Sequence, residues 1–200
     1  AARRKLALDG QQPPYFFISC SDSRYGPNLL PEITSGQAFI VKNVAALVPP
    51  YNSPEAASVA AAVDYAVSVL KIKHLIIKGH TRCGGVQGMI EGNTPGLVGK
   101  WLDLASKDVL KTLPKTDDKA ALCNHAEKNT VQWSYENLKE YPVVKQALKD
   151  GTLAIHAWRY DIETGEVEAW NDKKKTFEYF FQPGRDLTTA KPQIKRSNRR

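Results

Sequence analysis

Tyr15-Phe16-Phe17-Ile18-Ser19-Cys20-Ser21-Asp22-Ser23-Arg24 is the stretch that decides the fold of this 200-residue chain. Its first four residues are aromatic or β-branched without polar alternation, the pattern of a strand buried on both faces in a parallel sheet. That strand delivers Cys20, then a carboxylate at 22 and a guanidinium at 24. Sixty residues on, His74-Leu75-Ile76-Ile77-Lys78-Gly79 repeats the apolar run and ends in His80-Thr81-Arg82-Cys83-Gly84-Gly85. In open parallel sheets ligands gather beyond the carboxyl ends of strands. Cys20 and His80 both belong there.

Working outward, Pro27 and Pro31 punctuate a loop, and Ala38-Phe39-Ile40-Val41 predicts another strand, ending at Lys42-Asn43. Ser53-Pro54-Glu55 carries the signals of a helix start: Ser as N-cap, Pro at the first position and an acid at the positive end of the dipole. Val59, Val63, Ala66 and Leu70 then recur at helical spacing. Strand, helix, strand is a crossover unit, so these strands should be parallel and the connection right-handed. Gly84-Gly85 permits a tight turn and close backbone approach before a short helix over 86–90. Helices are expected over 97–113, 117–140 and 143–148, with Pro114 between the first two and Gly151 after the third. Residues 153–158 predict a fourth long strand, and Glu163-Thr164-Gly165 turns into 166–170 as an antiparallel edge hairpin. A helix ending near Gly10 precedes all of this. The expected fold class is α/β: a central, mainly parallel β-sheet with an antiparallel edge strand, flanked by helices on both faces. A single domain over 1–200 is expected, with a catalytic core over about 10–180 and peripheral basic termini at 1–9 and 185–200.

The charge pattern narrows the function classes. The chain carries a net +7, but Arg3, Arg4, Lys5, Lys191, Lys195, Arg196, Arg199 and Arg200 lie at its ends. Residues 6–190 hold 20 basic against 21 acidic side chains, so the basicity belongs to the termini and reads as solvated ends. No nucleic-acid signature accompanies it, and no apolar run approaches a bilayer's width. Nucleic acid and membrane are therefore not expected as partners. Three Cys, two of them in ligand spacing, argue against a disulfide framework. Cytoplasm is the expected compartment; a first residue other than Met leaves room for an upstream targeting segment and an organellar location.

Cys20, His80 and Cys83 suit zinc, which favours sulfur and imidazole and in catalytic sites keeps one position for water. Two thiolates neutralise Zn²⁺ and acidify that water less than three histidines would, so a nearby group must manage its proton. Asp22 is the candidate: it could accept the water's hydrogen bond, or fill the fourth position itself. Arg24, on the same side of an extended segment, could hold Asp22 away in a two-pronged pair.

These residues resemble the β-class carbonic anhydrases. That family's Cys-x-Asp-x-Arg and His-x-x-Cys motifs stand here as Cys20/Asp22/Arg24 and His80/Cys83, followed by Gly84-Gly85. The similarity extends through Phe39-Ile40-Val41-Lys42-Asn43-Val44-Ala45, Ala62-Val63-Asp64-Tyr65-Ala66-Val67 and Trp158-x-Tyr160-Asp161-Ile162-x-Thr164-Gly165, covering roughly residues 10–170. It implies reversible, zinc-dependent hydration of CO₂ to bicarbonate. It further implies that Cys20, His80 and Cys83 bind the metal and that Asp22 and Arg24 are catalytic. Gln11, Phe39, Val44, Tyr65 and Gly84 would bind substrate, Gln11 in the manner of the plant-like members. Part of that wall would come from a neighbouring subunit, in a homodimer or homotetramer with shared sites. Phe17 and Ser19 stand where bicarbonate-inhibited members carry Trp and Gly, against a regulatory anion site. Tyr25-Gly26 and Ala157 depart from the family's frequent Val-Pro and Gly.

Other readings explain less. A phosphatase loop wants five residues between Cys and Arg, where Cys20 and Arg24 have three; a phosphate loop wants more glycine and a Lys-Ser/Thr. A closed structural zinc site wants a fourth ligand, and Cys123 sits in an unrelated predicted helix. His74 and His156 read as structural, His125 as surface. The enzymatic alternative is hydrolysis of carbon disulfide or carbonyl sulfide on the same metal; the non-enzymatic one is a zinc protein that binds bicarbonate.

Overall fold

A computed structural model describes residues 2–24 and 33–183. The loop at Pro27 and Pro31, the departure at Tyr25-Gly26 and the basic C-terminal residues lie outside the described residues. In chain order the elements are α1 (Ala2–Asp9), β1 (Tyr15–Cys20), β2 (Ala38–Asn43), α2 (Ala57–Ser68), β3 (His74–His80), α3 (Gly84–Glu91), α4 (Gly96–Leu110), α5 (Lys119–Lys139), α6 (Pro142–Lys149), β4 (Ala154–Tyr160), β5 (Val167–Asn171) and β6 (Thr176–Phe181). The strands form one sheet in the order β2-β1-β3-β4-β5-β6. The first four are parallel; β5 and β6 are antiparallel to their neighbours.

The apolar run at 15–18 forms the expected interior strand because β1 is sandwiched between β2 and β3. Alternate side chains serve two cores. Phe16 and Ile18 join Leu75, Ile77 and Ala157 beneath α2, α5 and α6, whose Val59, Val63, Val131, Leu138 and Val144 are buried. Each fully buried Ile or Leu here contributes about 1.5–3 kcal/mol. On the opposite face Phe17, Ile76, Trp158 and Val167 form a second cluster, which among the described residues draws on strands and Ile33. Helical cover on that face is therefore not part of this cluster. Gly79 lets α5 lie close to β3: a Cβ there would collide with Val131 Cγ2.

Two local expectations shift. Ser53 does precede the helix, but Pro54–Ala56 is a 3₁₀ turn and the Ser53 hydroxyl makes no capping bond. The hairpin after β4 is not the sheet's edge, because β6 pairs outside β5. Residues 176–181 escaped the reading because their aromatics are not bounded by a recognisable strand alternation; only pairing with β5 organises them. Among the described residues no helix is long and apolar enough to cross a membrane.

Candidate metal centre

Because β1 and β3 are adjacent and parallel, with Ser19 opposite Lys78, their carboxyl ends open at the same end of the sheet. Cys20 closes β1 and His80 closes β3, and Cys83 follows after two residues, Thr81 and Arg82. Their ligand atoms lie within 4.8 Å of one another, and the two sulfurs are 3.9 Å apart. All three residues are buried. The turn that returns Cys83 to His80 is made at Arg82, with φ +57, rather than at Gly84-Gly85. Gly85 makes the expected close approach: a Cβ would sit 3.0 Å from Val44 Cγ1 and 3.1 Å from Ala45 Cβ.

His80 is held in a metal-ready tautomer. His80 Nδ1 lies 2.8 Å from the Thr81 carbonyl, a contact that requires the proton on Nδ1 and leaves Nε2 to face the sulfurs. Cys83 is the N-cap residue of α3, in extended backbone conformation. Between the thiols, hydrogen bonding from Cys83 pulls the Cys20 thiol well down against the cost of burial, with help from His80 and the Asp22 amide. Cys83 is pushed up by that same bond and by burial. Two cysteine sulfurs and an imidazole in this space are the donor set of zinc, which Cys20, His80 and Cys83 would hold once both thiols give up their protons.

Asp22 stands at the mouth. Arg24 grips it through Nε to Oδ1 at 3.0 Å and Nη2 to Oδ2 at 2.7 Å, while the Arg24 amide adds a third bond to Oδ1. These bonds hold the Asp22 carboxyl well below the ordinary carboxylate range. The same Nη2 also donates to the Arg82 carbonyl at 2.9 Å, so Arg24 spans both motif loops. Asp22 Oδ2 stops 3.9 Å from His80 Nε2, close enough to contact a small molecule at the metal position.

The remaining predicted residues divide into two groups. Val44, next to Gly85 and bonded through its carbonyl to Trp101 Nε1, and Gly84, with open space around its Cα, lie beside the metal loop. Gln11, Phe39 and Tyr65 do not. Phe39 pairs with Phe16 near the start of β1, its ring is 5.9 Å from that of Tyr65, and Tyr65 and Gln11 line a groove of about 630 Å³ with Pro13, Pro14 and Lys73. The length of β1, about 3.3 Å per residue, separates this groove from Cys20. Phe17 and Ser19 are buried in the sheet, and His74 bonds His156 at 3.1 Å away from the ligands.

Several residues around the centre escape sequence reasoning. Thr81 Oγ1 accepts the Ile162 amide at 3.1 Å, and Arg82 pairs with Glu163 at 2.5 Å, tying the hairpin after β4 to the metal loop. Glu127, only 4% exposed, accepts the Cys83 amide and binds Arg159. A signal existed for it: 127, 130, 131, 134 and 138 form the inward stripe of α5, and Glu127 is the acid on that stripe.

Sheet order and donor set together define a class: an α/β protein whose Cys₂His cluster, able to hold a metal ion, sits beyond parallel strand ends, with a carboxylate–guanidinium pair at its mouth. The family model described as carbonic anhydrase matches residues 15–167. A carbonic anhydrase of Synechococcus elongatus is 35% identical over 167 residues, covering 79% of this chain and 60% of the relative. Beta carbonic anhydrase 3 of Arabidopsis thaliana is 33% identical over 174 residues, covering 83% and 67%. Among solved structures, the β-carbonic anhydrase CcaA superposes with a TM-score of 0.82 at 31% identity, covering 89% of this chain and 88% of that one. A tetrameric β-carbonic anhydrase of Sordaria macrospora gives 0.74 at 28% identity, over 84% of each chain. The chain belongs to the β-carbonic anhydrase family. It spans about 57–67% of the length of the curated relatives it matches.

Proposed function

We propose that this protein catalyses the reversible hydration of CO₂ to bicarbonate and a proton, with zinc held by Cys20, His80 and Cys83. The observation that carries this reading is the convergence of those three ligand atoms within 4.8 Å beneath the Asp22–Arg24 pair. Bound zinc supplies Lewis acidity toward water, tempered by the charge of two thiolates. The chain's own groups do the rest. Asp22, kept ionised by Arg24, accepts a hydrogen bond from the attacking water and orients it; Arg24 keeps the carboxylate in that pose and out of the ligand set. The exposed edge of the pair opens a path by which the released proton reaches solvent.

CO₂ is small, linear and apolar, and needs an apolar wall with one polar contact. Val44 and Gly84 serve it from the protomer that owns the ligands. Gln11, Phe39 and Tyr65, grouped at the opposite end of the sheet, serve the site of a second copy. That separation supports a dimer or a tetramer in which each site is completed across the interface. Cys20 and Cys83 can ligate a metal only as reduced thiols, which suits a reducing compartment, the cytoplasm or an organelle.

Stopped-flow CO₂ hydration on the zinc-loaded protein tests the reading, with Cys83→Ser as control. A zinc-dependent rate that vanishes in Cys83→Ser is expected. No zinc-dependent rate in the parent defeats the proposal.

A further inference from the structure

We infer that Glu127 is a positioning residue for the metal: a buried carboxylate that fixes Cys83 from behind and slows loss of the ion. The inference rests on the reading of Cys20, His80 and Cys83 as metal ligands.

A carboxylate 4% exposed in mid-helix is retained only when partners replace its water. Both guanidinium bonds, from Arg159 Nε at 3.2 Å and Nη2 at 2.8 Å, fall on one oxygen, Oε2. The other oxygen, Oε1, faces the Cys83 amide at 3.4 Å. Behind them Arg159 Nη1 reaches Glu168 Oε2 at 2.7 Å, and Glu168 Oε1 accepts from Lys128 Nζ at 2.7 Å. Two acids and two bases alternate, so the network is neutral as a whole and presents its negative end to the ligand loop.

That end meets a ligand at the start of α3: Cys83 is the N-cap residue of that helix, and its own amide points back to Glu127. Holding Cys83 at its nitrogen opposes the backbone swing that would release the ion. The fold is arranged for this approach, since Gly79 lets α5 close on β3. Groups that orient metal ligands in this way typically account for 10–100-fold in metal affinity.

The test uses the zinc-loaded full chain and reads two quantities: the rate of zinc release to a colorimetric chelator, and the thiolate charge-transfer band of the cobalt(II)-substituted protein. Glu127→Gln is expected to speed release about 10–100-fold and to shift the band. Glu168→Gln breaks the same network at the end remote from Cys83, and its release rate and band should match the parent. Should Glu127→Gln not accumulate as folded protein, Glu127→Asp, which keeps a charge for Arg159 but withdraws it from the Cys83 amide, carries the same expectations. Release and spectrum unchanged in the Glu127 variant, or equally altered in Glu168→Gln, overturn the inference by reducing the network to support of the fold. A parent that binds zinc without hydrating CO₂ sinks the proposed function alone. A hydrating parent matched in every reading by its Glu127 variant sinks this inference alone.

Discussion

Two carboxylate–guanidinium pairs flank the centre, chemically alike and physically opposed. Asp22–Arg24 spans two residues of sequence and lies at the surface, with side chains 15% and 51% exposed. Glu127–Arg159 joins a helix to a strand 32 residues away and is buried, at 4% and 10%. In water the first pair exchanges one set of solvated contacts for another, so it adds little stability and can adjust as substrate comes and goes. The second has no water to fall back on. Its partners are fixed, and removing either leaves a charge stranded in the interior. The comparison separates a pair placed to act from a pair placed to hold.

The largest effect should come from breaking the buried pair. Arg159→Ala strands Glu127 and leaves Glu168 with Lys128 alone, and urea unfolding should show a loss of about 3–5 kcal/mol. A loss as small as that of a surface pair would erase the distinction. Asp22→Asn should give the reverse profile: unfolding free energy within about 1 kcal/mol of the parent, but zinc-dependent hydration reduced on the order of 100-fold under saturating CO₂. Unchanged hydration with full zinc content would remove Asp22 from the mechanism.

Buried titratable groups without an opposite charge sharpen the contrast. His156, beside His74, is pushed down by burial from 6.5 to about 4, with His74 adding to the effect. The folded protein therefore refuses a proton that the unfolded chain accepts between those values. Stability should fall as pH drops from about 6.5 toward 4, by about 3 kcal/mol, and be fully present above that window. His156→Gln should flatten the slope in urea titrations at several pH values; an identical slope would assign the acid sensitivity elsewhere. The smallest effect belongs to Arg82–Glu163, where both side chains are 68% exposed. Glu163→Gln should cost less than about 1 kcal/mol, and less again in high salt.

Much of the architecture was legible in residue order. The apolar runs at 15–18 and 74–79 announced interior parallel strands, because such strands have no polar face to show. The ligand residues stood at their ends, and Asp22–Arg24 was readable because both members lie on one short segment. Less local features were not. The turn was expected at Gly84-Gly85, but the left-handed residue is Arg82, whose carbonyl is held by Arg24. The edge strand at 176–181 emerged only through pairing with β5.

By itself, then, the sequence determined what depends on neighbours along the chain: strand and helix periods, the Cys-x-Asp-x-Arg pair, the His-x-x-Cys loop and hence the donor set. Tertiary structure alone decided which charges face one another across elements. It set Glu127 behind Cys83, and it grouped Gln11, Phe39 and Tyr65 at the other end of β1 from the ligands of their own protomer. The reason is geometric: a strand transmits position over a few residues with a fixed period, whereas contact between α5, β4 and the metal loop depends on how whole elements pack, which no local spacing encodes.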